Sequence, residues 1–123
     1  MNGNVDADLR ALLEVQVGST PGGPKSTILV WVDTAFNGGL VLPHHEIRRL
    51  GLRECSSTPA VLADGQEVVL PTYTCYLDWF GHQYRTQIVG NEGTHPLLGT
   101  MLLAGRDLQV SYRRRTVTLN LKR

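Results

Sequence analysis

The sequence predicts a mostly β fold with two short helices, and three observations lead there. Runs of β-branched and aromatic residues such as Ser26–Val32 (STILVWV) suit a pleated, half-buried surface. Asp64-Gly65, a frequent tight-turn pair, divides two strand-like runs in the stretch TPAVLADGQEVVLPTYTCYLDW. Thirteen glycines and six prolines in 123 residues weight the chain towards strands and turns.

Taken in order, Leu9–Val17 (LRALLEVQV) begins like a helix, but its LEVQV portion alternates as a half-buried strand does. Ser19–Lys25 (STPGGPK) is a loop by composition, and Ser26–Val32 is an interior strand. Pro43–Leu50 (PHHEIRRL) reads as a short helix, because proline's fixed φ suits a first turn and its missing N–H costs nothing there. Gly51 fits the left-handed position that closes such a helix. A long hairpin around Asp64-Gly65 comes next, then a strand over His82–Val89 (HQYRTQIV). His95–Ala104 passes from an apolar strand end into a second short helix, closed by Gly105. The tail DLQVSYRRRTVTLNL is a last hairpin, with its turn near Arg113–Arg115. With no linker or low-complexity segment, residues 1–123 are expected to form a single domain. A chain this long can bury roughly two thirds of its unfolded surface, enough for one core.

Composition narrows the function classes. Hydrophobic residues make up 41% and charged residues 19%, with a formal net charge of +1, so nothing calls for nucleic acid or an acidic membrane surface. Arg113, Arg114 and Arg115 form the only dense basic run, and at a hairpin turn they fit a solvated tip. Cys55 and Cys75 lack CxxC spacing and read as free thiols of a reducing compartment. The start MNGNVDADLRALLEV lacks a basic segment followed by an apolar core, so no signal peptide is expected. No apolar run approaches the roughly 20 residues that span a bilayer. A cytoplasmic location, without membrane or nucleic-acid partners, is the expectation.

Most candidate sites fail on spacing. His44 and His45 are adjacent and diverge on a helix, and Arg49 stands where a HExxH zinc helix needs its second histidine. His82 and His95 lack ligand spacing, so surface or capping roles are expected and no metal or cofactor is. There is no GxSxG elbow and no phosphate loop, since AsnGlyGly after Phe36 leads into a strand. A thiol paired with a histidine has no activating local feature.

Asp33 remains. An Asp after a strand can simply close an Asx-turn. Its neighbours, however, read Val-Asp-Thr-Ala-Phe-Asn-Gly-Gly, then Leu-Val-Leu-Pro and a short helix. This stretch resembles the active-site loop of the retroviral-type (clan AA, retropepsin-like) aspartic proteases, in particular the compact bacterial branch whose loop reads Asp-Thr-Gly-Phe-x-Gly. The segment Pro96-Leu97-Leu98-Gly99-Thr100-Met101-Leu102-Leu103 is similar to that family's apolar-apolar-Gly segment and helix, which cross behind the loop. The Asp64-Gly65 hairpin falls where the family places its flap. The resemblance spans about residues 9 to 120 in the expected order.

That resemblance implies a single-lobe retropepsin-like barrel and peptide hydrolysis by two aspartates sharing one proton. Only one Asp-Thr triplet is present, so the second carboxylate would come from a two-fold homodimer, with Asp33 of each copy on the axis. Thr34 would grip the partner's loop, and Ala35 would contribute its backbone. Leu98 and Gly99 would support the site, and Asp64 and Gly65 would lie at the tip of the flap over a peptide or protein substrate. Ala35 departs from the family's glycine, and its methyl penalises positive φ. A catalytically inactive dimerisation or peptide-binding module of the same fold, and a ligand-binding barrel with an incidental Asp, remain open on these residues.

Overall fold

A computed structural model describes residues 1–61 and 63–121 of the chain; Leu62, inside the expected hairpin run, lies outside the described residues. The strands begin with β1 (Asn2–Val5), β2 (Ala11–Gly18), β3 (Ser26–Val32) and β4 (Leu40–Pro43), followed by the helix α1 (His44–Leu50). Next come β5 (Arg53–Val61), β6 (Glu67–Trp79) and β7 (His82–Asn91). The chain ends with β8 (Leu97–Leu98), the helix α2 (Thr100–Leu103), β9 (Arg106–Ser111) and β10 (Thr116–Leu121).

Period-two alternation places the core. Leu13, Val15 and Val17 of β2 and Ile28, Val30 and Val32 of β3 turn inward, while Glu14, Leu29 and Trp31 between them face out. Leu42, Cys75, Leu77, Ile88, Leu98 and Leu119 complete the same buried cluster. Neighbouring strands run β6-β7-β4-β8-β3-β2, and β2 pairs again with β6 through Gln16–Gly18 and Tyr76–Asp78. This closes a six-stranded barrel, which leaves no free edge around the core. Beyond β2 the sheet continues through β1 and β10 to β9, and beyond β6 the outer strand β5 ends it on the other side.

Three local expectations are corrected. Leu9 does not start a helix: it sits at φ +64° in a turn between β1 and β2, where its N–H donates to the Asp6 carbonyl. The Asp6 carboxylate caps that turn by accepting from the N–H groups of Asp8 and Arg10, and β2 is extended from Ala11. Pro43 is not the first helical residue but the N-cap of α1, with φ −61° and ψ 151°. Its extended ψ is held by parallel pairing of β4 with β7, where Pro43 lies opposite Asn91. The third is an omission: β1 is a strand that the N-terminal sequence did not announce. Pairing with β2 and β10 makes it one, and the Met1 ammonium donates to the Leu119 carbonyl at 2.7 Å. Elsewhere the expected elements stand, including the left-handed Gly51 (φ 67°, ψ 34°) that closes α1.

No helix among the described residues is long and apolar enough to cross a membrane.

Candidate active site

Asp33 follows directly on β3, whose inward residues Val30 and Val32 bury that strand in the barrel wall. Its backbone N–H donates to the Leu98 carbonyl at 2.9 Å, extending the parallel pairing of β3 with β8 by one residue. The chain then turns: the Ala35 N–H donates to Asp33 Oδ1 at 3.0 Å, and the Phe36 N–H to the Asp33 carbonyl at 3.2 Å. One carboxylate oxygen is thereby oriented by the backbone, and the side chain is half-buried.

The loop is tied to the segment behind it. Gly99 N–H donates to the Gly39 carbonyl (2.7 Å), Thr100 N–H to Phe36 (2.9 Å) and Met101 N–H to Gly38 (3.1 Å). Gly99 is glycine for want of space, not for its φ of −102°: a Cβ would stand against the Gly38 carbonyl oxygen and 2.6 Å from that of Phe36. Leu98 is fully buried between β3 and β4. Both Leu98 and Gly99 therefore touch the Asp33 loop.

Thr34 and Ala35 are exposed in the single chain. The departure from glycine at position 35 carries no backbone penalty, since Ala35 is not among the residues with positive φ. The conformational concern raised by its methyl is thereby removed.

A cleft of about 1470 Å³ opens beside this loop. Ala35 to Gly39 of this loop, Val61 and Val69 of the β5–β6 hairpin and residues of β7 line it, whereas Asp33 and Thr34 do not. Asp64 and Gly65 lie in the turn joining β5 to β6, where the Gln66 N–H donates to Asp64 Oδ1 at 2.9 Å and Gly65 adopts φ +85°. They are not among the residues lining the cleft, which the hairpin reaches through Pro59 to Val61 and Val68 to Thr72.

No protein-family model matches the chain, and no curated protein does. Solved structures do match. A retropepsin-like aspartic protease from Rickettsia conorii superposes with a TM-score of 0.65 at 16% identity, covering 98% of this chain and 89% of that one. EIAV protease complexed with the inhibitor HBY-793 superposes with a TM-score of 0.57 at 17% identity, covering 80% and 88%. The chain has the retropepsin-like fold.

Within that fold the alternatives for chemistry lose ground. Cys75 is buried, and burial pushes its thiol up to about 12, far from a nucleophile's range. Cys55 is exposed on β5, its thiol held below its ordinary value by hydrogen bonding, first to the Thr74 side chain. Neither forms a disulfide. Among the described residues no group of three His, Cys, Asp or Glu side chains could hold a metal ion. His44 lies beside the cleft with Nε2 3.4 Å from Glu92, and His45 beside Glu46 at 3.6 Å.

One set of cleft residues was not singled out from the sequence. Arg85, Gln87, Val89 and Asn91 share one face of β7, and all four line the cleft. Their alternation is visible in YRTQIVGN. Thr86 and Gly90 of the other face line it too, and that β7 borders the cleft at all depends on its lying between β6 and β4, a pairing between distant segments.

Proposed function

We propose that the protein is an aspartic endopeptidase that acts as a homodimer, with Asp33 of each copy forming the catalytic dyad. The observation that carries the reading is the seating of Asp33. It stands at the end of an interior strand, its carboxylate accepts from the Ala35 N–H, and the residues that follow it, Ala35 to Gly39, line a cleft that Asp33 itself does not line. The retropepsin-like fold supports the same reading, because in that fold a lone carboxylate at this position has a use.

Two carboxylates about 3 Å apart cannot both ionise, so the pair holds one proton. The ionised Asp33 draws a proton from a water molecule as the oxygen attacks the peptide carbonyl. The protonated partner donates to the carbonyl oxygen, giving a neutral tetrahedral intermediate. On collapse the protonated carboxyl donates to the amide nitrogen while the ionised one takes a proton from a hydroxyl of the intermediate. The C–N bond thus breaks to an acid and an amine, and the dyad again holds one proton. Thr34, exposed in a single chain, would be covered by the partner's loop, and the Ala35 N–H would keep Asp33 in place. The hairpin carrying Asp64 and Gly65 would open for substrate and then exclude water. An extended peptide would lie along the cleft with alternate side chains in subsites. No cofactor takes part in this scheme.

The test is cleavage of a mixed peptide library between mildly acidic and neutral pH by the wild type and by Asp33→Asn, with sedimentation on both. The amide keeps the turn's acceptor oxygen but cannot act as base, so cleavage should fall to background while fold and dimer persist. Cleavage undiminished in Asp33→Asn, or a strictly monomeric active species, rejects the reading. A dimer that cleaves nothing points to an inactive interaction module.

A further inference from the structure

We infer that Arg85 and Gln87 form an anion-accepting outer subsite of the cleft, selecting substrates with an Asp or Glu side chain at a fixed distance from the cleaved bond. The inference rests on the peptidase reading for the word substrate, but the recognition it describes is a matter of binding.

Arg85, Gln87, Val89 and Asn91 form a single file on one face of β7 and all line the cleft, as do Thr86 and Gly90 of the other face. Val89 sits at the centre, paired with Val41 of β4, and β4 in turn pairs with β8, whose Leu98 accepts from the Asp33 N–H. Arg85 lies four residues away along an extended strand, roughly 13 Å, or two same-face positions of a peptide running alongside. The guanidinium thus belongs to one end of the cleft-lining part of β7, away from the pairing of Val89 with β4.

Arg85 is the sole Arg or Lys among the described residues that line the cleft. It is exposed, and among the described residues no carboxylate lies within ion-pair distance of it. The other acidic and titratable groups of the cleft, Glu92 and His44, face each other at 3.4 Å towards the opposite end of β7. A planar guanidinium with free donors accepts a carboxylate in two parallel hydrogen bonds, and the Gln87 amide can add a third donor. A lysine side chain arriving at the same place would meet repulsion and no acceptor except the Gln87 carbonyl. The charge pattern along the cleft is therefore asymmetric, with its unpaired cation at one end.

The experiment uses the library to locate the position where Asp and Glu are enriched, then two peptides differing only in Glu or Gln there. Wild type should favour Glu by roughly two- to fivefold in kcat/KM at low ionic strength, the range of exposed ion pairs, with the preference fading as salt is added. The difference should sit in KM, because a remote contact binds substrate and transition state alike. Arg85→Gln should bring the ratio to about one, Arg85→Glu should reverse it, and Arg85→Lys should keep most of it. The same pair is titrated by fluorescence anisotropy onto Asp33→Asn protein with and without Arg85→Gln. Cleavage whose Glu-to-Gln ratio ignores every Arg85 change overturns this inference and leaves the peptidase reading standing. Arg85-dependent preference in binding without cleavage by the wild type does the reverse. If neither peptide binds or is cleaved, both fall.

Discussion

Two segments that line the cleft are built in opposite ways. The Asp33 loop is held from behind by Leu98, Gly99, Thr100 and Met101 through backbone hydrogen bonds of 2.7–3.1 Å, and it rests on the barrel core. The distal part of the β5–β6 hairpin rests on little: β5 pairs only with β6, and β6 gains its second partner, β7, only from Thr72 onward. Val61 and Val69 turn 69% and 67% of their surface to solvent, although both line the cleft. The contrast separates two demands that chemistry makes. A carboxylate that must meet a substrate carbonyl gains from a backbone that cannot wander. A cover that must admit an extended chain gains from having few core contacts to break.

The largest expected effect comes from loosening the rigid side. Gly99→Ala places a methyl against the carbonyl oxygens of Gly38 and Phe36, which are backbone atoms and cannot rotate away. The loop must shift, at a cost of about 3 kcal/mol, the upper part of the range for overpacking. Chemical denaturation should show that loss as a lower midpoint with an unchanged slope. Cleavage should fall further than stability does, since the Asp33 N–H bond to Leu98 lies next to the strained residue. A variant as stable as the wild type would mean that the loop is as yielding as the hairpin, and the comparison would collapse.

How much of this contrast the sequence disclosed follows from range. Ser26–Val32, the Asp64-Gly65 turn and the Gly51 stop were legible because alternation and turn chemistry act within a few residues. β1 was not, because Asn2–Val5 becomes a strand by lying between β2 and Thr116–Thr118, the latter more than a hundred residues on. The extended Pro43 was missed for a related reason: proline's fixed φ serves a helix start and a strand end equally, and the partner Asn91 decides. Asp33 and Gly99 stood out through their resemblance to a known loop. Gly99's reason for being glycine did not, since the Gly38 and Phe36 carbonyls that fill its space are sixty residues away in the chain. Arg85 was invisible as a cleft residue because the cleft is assembled from β5, β6, β7 and the Asp33 loop.

A smaller effect should follow on the hairpin side. Gly65 has φ +85° and no atom within 4 Å of where a Cβ would stand, so Gly65→Ala meets backbone strain without a clash. Left-handed strain of about 1–2 kcal/mol is partly offset by the lower entropy of the unfolded alanine chain, leaving a net loss of about 1 kcal/mol. Because the turn stands apart from the core, the loss should appear as faster amide exchange around Glu67 and Val68 while Val30 keeps its protection. Equal change at Val30 would show the hairpin to be coupled to the barrel, and the two segments would no longer be independent.

The smallest expected effect is at Ala35, where the rigid side differs from the glycine of the resembling loop. Ala35 lies outside the positive-φ region, so alanine suits the backbone as it stands and Ala35→Gly removes only a methyl and adds freedom to the unfolded chain. The expected loss is about 0.5 kcal/mol of stability. The N–H that meets Asp33 Oδ1 at 3.0 Å is kept, so the carboxylate keeps its partner. If the extra freedom reached Asp33 in full, 0.5 kcal/mol would correspond to about a twofold change in rate, and that is the ceiling expected in a cleavage assay. A rise of tenfold or more would show instead that the alanine methyl obstructs the site, either against the partner's loop or against substrate. The braced geometry of a single chain would then be insufficient to describe the dyad, and Ala35, not the hairpin, would be what limits turnover.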